Sequence, residues 1–307
     1  MRGVTVRAPA KINLALAVGG VSPDGYHPVA TIYQAVDLCD EVRATPQDSP
    51  AIDVTVTYDG RSPSETAQVP LHAENLAVRA AALLRERAGV SGGVSLAIRK
   101  AIPVSGGMAG GSADGAAALV ACDMVWELAT PRPTLLRLAA ELGSDVPFAL
   151  LGGTAMGTGR GELVSPVLAS GAYYWVLALA ATGLSTPAVY AEYDRLHSGF
   201  APPAPQVAPA LMAALRAGDT GALGAAMSND LQDAAISLRP ELAHVLAIGE
   251  ECGALGGLVS GSGPTTVFLA VDEEHALDIA LALNGSGACA DVVQALGPVG
   301  GARPIGG

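Results

Sequence analysis

The first sixty residues carry hydrophobic patterns that predict strands. Residues 4–18 and 29–43 are mostly apolar with weak alternation, and the segment between them, GGVSPDGYHP at 19–28, is rich in turn formers. Residues 52–58 (IDVTVTY) alternate between apolar and polar, as a strand with one exposed face does. We therefore predict a strand, a turn and two further strands in this order.

In residues 75–142 the spacing of apolar residues alternates between that of helices and that of strands. Residues 75–88 have the helical spacing of apolar positions, and residues 94–100 are predicted to form a strand. A glycine-dense loop at 103–112 leads into an alanine-rich helical stretch at 113–128, which two prolines end. A further helix is predicted at 134–142.

The second half of the chain mixes strands and helices without a regular repeat. A glycine-rich, hairpin-like stretch lies at 152–161, the apolar run at 173–180 predicts a buried strand, and a Pro/Ala-rich linker follows at 201–209. A second glycine-rich loop leads into the strand TTVFLAV at 265–271. Further helices are predicted at 209–217, 219–227, 239–251 and 273–284. This mixed order predicts an α+β fold rather than a doubly wound sheet.

Composition and charge limit the classes of function. Half of the 307 residues are apolar and 15% are charged, which is typical of a folded chain of about two domains. The formal net charge of -12 argues against a nucleic-acid binder, because clustered Lys and Arg bind a phosphate backbone. It does not exclude a phosphorylated small molecule, which backbone N–H groups and a metal ion can bind.

The cysteines and the apolar segments indicate in which cellular compartment the protein is expected. The N-terminus lacks the long apolar region of a signal peptide, and the apolar run at 173–181 is too short to cross a bilayer. The four cysteines are scattered and form no C-x-x-C pair, as expected of free thiols in a reducing compartment. We expect a soluble cytoplasmic monomer or homodimer with no membrane partner.

The glycine-rich segment at 103–114 (PVSGGMAGGSAD) is a candidate phosphate-binding loop. Glycines let backbone N–H groups converge on an anion because they have no Cβ, and the following helix adds the positive end of its dipole. Ser112 could cap that helix, or contact a phosphate or its metal ion. The loop lacks the G-K-S/T of a Walker A motif and the glycine spacing of a dinucleotide fingerprint. A tight turn with Ser112 as the cap is therefore the structural alternative.

Three motifs taken together resemble those of the GHMP kinases. They are APAKINL at 8–14, the loop at 103–114 and GSGPT at 261–265, in the order and spacing of that superfamily. DGYH at 24–27 and LGSDVP at 142–147 resemble the branch whose acceptor is a cytidine diphosphate sugar alcohol. The resemblance covers nearly the whole chain, and the joint occurrence of the motifs is much more specific than any one of them.

The phosphate loop departs from that branch at its end. The branch often has LGGGSSN where this chain has MAGGSAD at 108–114. The two alanines are small enough to keep the loop closed. Asp114, however, replaces an amide and puts a carboxylate near a phosphate site, which is unfavourable unless a metal ion or solvent intervenes. The role of Asp114 stays open from the sequence.

The resemblance implies a fold and a reaction. An ATP-binding N-terminal domain at 1–165, similar to domain 2 of ribosomal protein S5, would precede a ferredoxin-like C-terminal domain at 166–295 and a flexible tail at 296–307. The active site would lie in the cleft between the domains. The implied reaction phosphorylates a hydroxyl of the cytidine diphosphate sugar alcohol with ATP and Mg²⁺, in the non-mevalonate (methylerythritol phosphate) route to isoprenoid precursors.

The resemblance also implies that Lys11 and Asp145 are the catalytic pair. Phosphoryl transfer to an alcohol needs a hydroxyl aligned with the γ-phosphate and partly relieved of its proton, with cations nearby. Asp145 would accept the proton, and Lys11 would orient the hydroxyl and stabilise the developing charge. Asn13 would share a strand face with Lys11 and contact the substrate or Asp145, unless it is a satisfied buried amide. Without the family, Lys11 would be a surface lysine and Asp145 a helix N-cap.

The residues that the resemblance assigns to ATP lie in the phosphate loop and beside it. Asn75 would lie near the nucleotide, although by default it caps a helix. Ser112 is the candidate contact for Mg²⁺, which keeps several waters and takes few protein ligands. The ATP set is Asn75, Pro103, Val104, Ser105, Gly106, Gly107, Met108, Ala109, Gly110, Gly111, Ser112 and Ala113.

The cytosine of the implied acceptor predicts an aromatic and polar binding site. Tyr26 could stack on the ring, and His27 could reach its hydrogen-bonding edge. Tyr190 could cover the opposite face, with Thr186 binding polar groups. The substrate set is Asn13, Tyr26, His27, Thr186, Tyr190, Gly261 and Ser262.

Two other functions stay open from the sequence. The first is a GHMP kinase for another small alcohol, of the homoserine or mevalonate type, for which Tyr26, His27 and Tyr190 would have no base to contact. The second is a catalytically silent nucleotide-binding sensor. The retention of both Lys11 and Asp145 argues against the sensor, whereas resemblance of fold would not.

Overall fold

The computed structural model describes residues 3–59, 69–104, 106–199 and 202–306. The strands in these ranges are β1 (Val4–Val18), β2 (Val29–Gln47), β3 (Ile52–Tyr58), β4 (Gly93–Lys100), β5 (Thr154–Thr158), β6 (Leu163–Pro166), β7 (Tyr173–Leu179), β8 (Ser228–Asn229), β9 (Gly256–Val259), β10 (Thr266–Ala270), β11 (Asp291–Gly297) and β12 (Arg303–Pro304).

The helices are α1 (Leu76–Ala88), α2 (Gly110–Val125), α3 (Arg132–Leu142), α4 (Val146–Leu151), α5 (Thr186–Leu196), α6 (Pro209–Ala217), α7 (Thr220–Ala226), α8 (Gln232–Leu238), α9 (Glu241–Glu251) and α10 (Glu273–Ser286). Within the described ranges, no helix combines the length and apolar character needed to cross a membrane.

The larger sheet is built around the long strand β2. Its strand order is β12-β1-β2-β4-β3, with β5 and β6 attached to β2 and β8 attached to β1. β1 and β2 pair antiparallel over most of their length. Because β2 has 19 residues, its second half pairs with β4 while its first half pairs with β5. β3 joins β4 in parallel, so the sheet is mixed.

Small side chains let α2 pack directly on this sheet. Ala113, Ala116 and Ala117 on the inner face of α2 are fully buried and belong to the main core, together with Ile12 and Ile32 from the strands. Alanine is the best helix former and loses no side-chain entropy on burial. The start of α2 is therefore held in the core, and the loop that precedes it is held at the end of the sheet.

The smaller sheet has the strand order β11-β7-β10-β9, with every neighbouring pair antiparallel. α9 and α10 pack on it around the buried ring of Phe268. Trp175 Nε1 of β7 donates to Gln34 Oε1 of β2 at 2.8 Å, which joins the smaller sheet to the larger one. The predicted domain boundary at 165 falls within β6, the last strand of the larger sheet before β7.

The predicted α+β class is confirmed, but the predicted start of α2 and the suggested cap by Ser112 are wrong. α2 begins at Gly110 rather than at 113, so Ser112 lies inside the first turn and does not cap the helix. The cap position belongs to Ala109, which makes no side-chain capping hydrogen bond. α4, α5 and α8 are helices that are not predicted from the sequence: α4 and α8 have only six and seven residues, too few to show a helical period, and α5 buries only Val189 and Tyr193.

The predicted flexible tail at 296–307 is also corrected for the part that the structure describes. β12 pairs antiparallel with β1, and Gly300 bridges Gly152. A Cβ on Gly152 would lie 1.9 Å from Gly301 N, so the two backbones approach as only glycine allows. The sequence suggests mobility because this segment is rich in glycine and has few apolar side chains. Its contacts are made by the backbone, which leaves no pattern in the sequence.

Candidate active site

Two cavities meet at the glycine-rich loop before α2. The larger cavity, of about 810 Å³, is lined from β1, β2, α5 and the loop after β9. The smaller cavity, of about 400 Å³, lies between the start of α1 and the start of α2. Gly107 and Ala109 line both of them. Ligands bound in the two cavities would therefore lie next to each other at Gly107 and Ala109.

Lys11 places a cation in the larger cavity. Lys11 and Asn13 lie two residues apart on β1, so their side chains extend from the same face of the strand. Lys11 Nζ donates to Asn13 Oδ1 at 2.6 Å, and Asn13 Nδ2 donates to Thr31 Oγ1 at 2.8 Å. The Asn13 amide is thus satisfied within the protein. Among the described residues no carboxylate pairs with Lys11, which leaves donors on its ammonium for an anion.

Asp145 places a carboxylate in the same cavity. It occupies the N-cap position of α4, but its side chain makes no capping hydrogen bond. Burial, with the neighbouring charge of Asp145 adding to it, raises the pKa of Tyr33 well above its usual value. The Tyr33 ring centre lies 5.4 Å from Lys11 Nζ. Tyr33 therefore stays protonated beside both charged groups and can donate to the carboxylate.

The loop before α2 is fixed by two neighbouring segments. The backbone N–H of Lys11 on β1 donates to Met108 O at 3.2 Å. Thr265 Oγ1, from the second glycine-rich loop, donates to Gly106 O at 2.6 Å. The loop is thus held between the strand that carries Lys11 and the loop that follows β9.

The turn into α2 needs a glycine and leaves backbone donors exposed to the smaller cavity. Gly107 has a φ of +77°, and a Cβ there would lie 2.7 Å from Gly263 O. Ala109 follows in the left-handed region with a φ of 58°. Gly110 and Gly111 then line the smaller cavity at the first turn of α2, where N–H groups have no partner within the helix. These groups and the helix dipole favour an anion there.

Most residues predicted to bind ATP line the smaller cavity. Asn75 also caps α1 by accepting from Ala77 N at 2.8 Å. Met108 and Ala113 are fully buried, Ser112 is half-buried, and none of the three lines either cavity. Ser105 lies outside the described residues. The lining members of the predicted set are Asn75, Pro103, Val104, Gly106, Gly107, Ala109, Gly110 and Gly111.

Every residue predicted to bind the acceptor lines the larger cavity, as do Lys11 and Asp145. Thr186 Oγ1 at the start of α5 lies 2.8 Å from Ser262 Oγ in the loop after β9, so the two hydroxyls share a hydrogen bond across the cavity wall. The lining members of the predicted substrate set are Asn13, Tyr26, His27, Thr186, Tyr190, Gly261 and Ser262.

The aromatic side chains of this cavity already have partners within the protein. The Tyr190 ring stacks on the His27 imidazole, with centroids 5.1 Å apart. Tyr26 is exposed, and the Arg160 guanidinium lies 3.7 Å from its ring centre. Arg160 also pairs with Asp24 at 2.8 Å. A base bound between Tyr26 and Tyr190 would therefore have to move Arg160 or stack on the other faces of the rings.

A buried ionic cluster borders the smaller cavity. Lys100 Nζ donates to Asp40 and, at 2.8 Å, to Asp114 Oδ2, and the three side chains are at most 3% exposed. Asp40 Oδ1 accepts two backbone N–H groups, from Ala101 and Ile102. Asp114 Oδ1 has no partner among the described residues.

Asp114 is therefore the carboxyl of this cluster that takes up a proton. Burial raises the pKa of Asp114 to about 8, because the attraction of Lys100 offsets desolvation only in part and the charge of Asp40 adds to it. The raised pKa favours the uncharged form of the carboxyl next to the phosphate loop.

The predicted site sets leave out several residues that line the larger cavity, among them Tyr33, Arg160 and Asp194. Asp194 had a signal, because Thr186, Tyr190 and Asp194 recur every four residues and so share one face of α5. Arg160 is a cation in a glycine-rich hairpin. Tyr33 carries no signal, since it lies within an apolar strand.

Two family models match the chain. The GHMP kinases N terminal domain matches residues 75–153, and the GHMP kinases C terminal domain matches residues 211–289. The chain is 57% identical over 303 residues to the 4-diphosphocytidyl-2-C-methyl-D-erythritol kinase of Thermobifida fusca (strain YX), with 98% of each chain covered. It is 54% identical over 302 residues to the protein of that name from Streptomyces coelicolor, covering 98% of this chain and 99% of the relative.

Solved structures are similar over the whole length. A crystal structure of 4-(cytidine 5'-diphospho)-2C-methyl-D-erythritol kinase has a TM-score of 0.77 at 34% identity, covering 95% of this chain and 99% of its own. A homoserine kinase from Cytophaga hutchinsonii has a TM-score of 0.75 at 20% identity, covering 99% of this chain and 98% of its own. The second likeness is one of fold alone.

Proposed function

The chain belongs to the GHMP kinase family and is an ATP-dependent kinase, and we propose that its acceptor is the 2-hydroxyl of 4-diphosphocytidyl-2-C-methyl-D-erythritol. The products would be the 2-phosphate and ADP, in the methylerythritol phosphate route to isoprenoid precursors. The observation that carries the proposal is the meeting of the two cavities. Lys11 and Asp145 line one of them, and the other is bordered by the phosphate loop.

Asp145 is the residue that accepts the hydroxyl proton in this proposal. Its carboxylate is not used to cap α4, so it is available in the larger cavity. Tyr33 is a hydrogen-bond donor that can orient the carboxylate. General base assistance is worth about 10²–10⁴-fold in rate, so positioning and electrostatic stabilisation must supply most of the acceleration.

Lys11 orients the hydroxyl and stabilises the charge that develops on the transferred group. It is buried at 7% exposure, and a charge is worth more where water is excluded. Asn13 fixes the ammonium through the 2.6 Å hydrogen bond to Nζ. Because its strand also donates to Met108 O, Lys11 is positioned relative to the phosphate loop.

The loop at 103–111 binds the phosphates of ATP with backbone donors in this proposal. Gly110 and Gly111 offer the N–H groups of the first turn of α2. The neutral carboxyl of Asp114 removes the repulsion that an ionised group would exert on a phosphate. Nearby, Asn75 and Pro103 line the space that the rest of the nucleotide would occupy.

Mg²⁺ belongs to the proposal as the ion that accompanies ATP. Among the described residues no group of three or more His, Cys, Asp or Glu side chains could hold a metal ion. Such a cage is not needed, since Mg²⁺ bound to ATP takes phosphate oxygens, several waters and one or two protein ligands. Ser112, half-buried in the first turn of α2, is the candidate protein ligand in this proposal, although it lines neither cavity. The ion would supply positive charge next to the transferred group.

Phosphorus NMR of the purified protein with Mg-ATP and 4-diphosphocytidyl-2-C-methyl-D-erythritol tests the reaction and the site together. We expect a new phosphomonoester signal that grows with ADP, and we expect Lys11→Ala to abolish it. The control should remove a cation that lies away from the site. Replacing Lys100 would disturb the buried ionic cluster, so we choose Arg137→Ala, whose side chain is exposed and whose described contact is with Thr134 of its own helix. This variant should keep full activity.

Other results of this experiment would point to the alternatives. If ATP binds by calorimetry but no phosphomonoester forms, the acceptor is another alcohol, of the homoserine or mevalonate type. Full activity of Lys11→Ala would remove Lys11 from the mechanism while leaving the reaction in place.

A further inference from the structure

The loop that follows β9 approaches the pair of Lys11 and Asn13 with its backbone. A Cβ on Gly261 would lie 3.1 Å from Asn13 Oδ1 and 3.2 Å from Lys11 Nζ. The backbone N–H of Asn13 donates to Oγ of the buried Ser260 at 3.2 Å. A shift of this loop would therefore change the surroundings of the ammonium that the proposed reaction uses.

The side chain of Asn229 binds the backbone of the same loop. β9 lies at the edge of the smaller sheet, and its last residue, Val259, pairs with Thr266 of β10. Asn229 Nδ2 donates to Val259 O at 2.6 Å and to Gly261 O at 2.7 Å. Edge strands leave backbone groups without a partner in the sheet. Here the amide of Asn229 supplies the donors for two carbonyl oxygens at this edge.

The orientation of the Asn229 amide is fixed by its own hydrogen bonds. Oδ1 accepts from the Leu231 N–H at 2.9 Å, while Nδ2 donates to carbonyl oxygens, which can only accept. Gln232, the first residue of α8, accepts from the Val259 N–H at 3.0 Å through Oε1. Two side chains at the start of α8 therefore hold Val259 by both of its backbone polar groups.

β8 connects Asn229 to the strand that carries Lys11. It pairs in parallel with β1, where Asn229 lies opposite Leu16. Asp230 adds two hydrogen bonds to β1, since its N–H donates to Leu16 O at 2.9 Å and its Oδ2 accepts from the Val18 N–H at 2.9 Å. Asn229 itself lines neither of the two cavities of the site. Any effect of Asn229 on the reaction is therefore exerted through the loop that it binds.

The carbonyl of Gly261 is the group that would disturb Lys11 if the loop moved. A carbonyl oxygen accepts strongly from an ammonium, and Lys11 Nζ has N–H groups besides the one that it donates to Asn13. The hydrogen bond from Asn229 directs Gly261 O to a different donor. The ammonium then keeps its own donors for the acceptor hydroxyl and the transferred group.

We propose that Asn229 is a positioning residue for phosphoryl transfer, which binds the carbonyl oxygen of Gly261, holds the loop after β9 in place and so keeps the Lys11 ammonium available for the transferred group. This inference rests on the proposed function, because it requires Lys11 to act on the acceptor hydroxyl and the transferred group. It assigns to Asn229 no contact with either substrate.

Single-turnover phosphorylation of 4-diphosphocytidyl-2-C-methyl-D-erythritol, with the protein in saturating excess over the acceptor, tests this role. Asn229→Asp keeps the shape of the side chain and the acceptor for the Leu231 N–H, but it replaces Nδ2 by an oxygen that repels the two carbonyl oxygens. We expect the limiting rate constant to fall about 10-fold to 100-fold, because a small displacement of a catalytic group can cost about 10²-fold in rate. The Kd for ATP, measured by calorimetry, should stay at the natural value.

Asn229→Ala gives a graded comparison. It leaves the two carbonyl oxygens without repulsion, and Asn229 lines a separate cavity of about 660 Å³ through which water can reach them. The rate constant should therefore fall less than in Asn229→Asp. Asn284→Asp makes the same chemical change at an exposed position on α10 and should leave the rate constant unchanged.

The outcomes separate positioning from folding and from the proposed function. Lower stability reduces the melting temperature and the folded fraction but not the limiting rate constant, because the folded protein remains in excess. Natural rate constants in both variants, or in Asn229→Ala alone if Asn229→Asp does not fold, would refute the role of Asn229 and leave the proposed acceptor in place. A loss of ATP affinity equal to the loss in rate would locate the effect at the phosphate loop and would also refute it. Absence of turnover by the natural protein overturns the proposed acceptor and this inference with it.

Discussion

Replacing Asp114 by asparagine should make the stability of the protein less dependent on pH. Asp114 lies 2.8 Å from Lys100 Nζ in the buried cluster, and its Oδ1 has no partner among the described residues. Asparagine has nearly the shape of the protonated carboxyl and can still accept from Lys100. Lys100 then retains Asp40 as its charged partner, so the buried cluster stays neutral at every pH at which both are ionised.

The sign and size of the effect follow from the raised pKa. The carboxyl titrates near its ordinary pKa of 3.8 in the unfolded chain and at about 8 in the folded protein. Between these values the folded state holds a proton that the unfolded state has lost, so the free energy of unfolding falls as pH rises. The slope is at most about 1.4 kcal/mol per pH unit. At pH 7 the natural protein should therefore have lost about 4 kcal/mol, as an upper value, that the asparagine variant keeps.

Urea denaturation of both proteins from pH 5 to pH 9 measures this difference. The variant should gain stability relative to the natural protein with each step in pH, and the gain should level off above pH 8. Asp278→Asn, which removes an exposed carboxylate of α10, is the matched control and should show no such trend. A difference that does not change with pH would mean that Asp114 is ionised in the folded protein over this whole range.

Three further predictions concern the proposed site. Asp145→Asn should lower turnover by roughly 10²-fold or more with ATP affinity unchanged, because general base assistance is lost; near-normal single-turnover rates would exclude Asp145 as the base. Tyr26→Ala should weaken acceptor binding by about 1–3 kcal/mol through lost stacking, and an equal loss for ATP in calorimetry would make Tyr26 a structural residue. Gly107→Ala should raise the KM for ATP by about tenfold or more, because the new Cβ would lie 2.7 Å from Gly263 O at a φ of +77°. A KM within twofold of the natural value would contradict this close packing.

Much of the fold could be predicted from the sequence because it is encoded in local patterns. The alternation of residues 52–58 reflects a half-buried strand, β3, and the apolar spacing of residues 75–88 reflects one buried face of α1. β8 and β12 could not be predicted in this way. Each is two residues long and joins β1 by backbone pairing, which leaves almost no pattern in the side chains.

The sequence by itself also determined which residues are candidates for the chemistry, since Lys11, Asp145 and the phosphate loop lie in short motifs. Only the tertiary structure decided what surrounds them. The pKa of Asp114 is raised because folding buries its carboxyl and brings it near the charge of Asp40, and Lys100, 14 residues away, offsets this only in part. The same ammonium reaches Asp40, 60 residues away. Burial and charge at a site depend on groups that are distant along the chain. Those groups meet only when β2, β4 and α2 pack together.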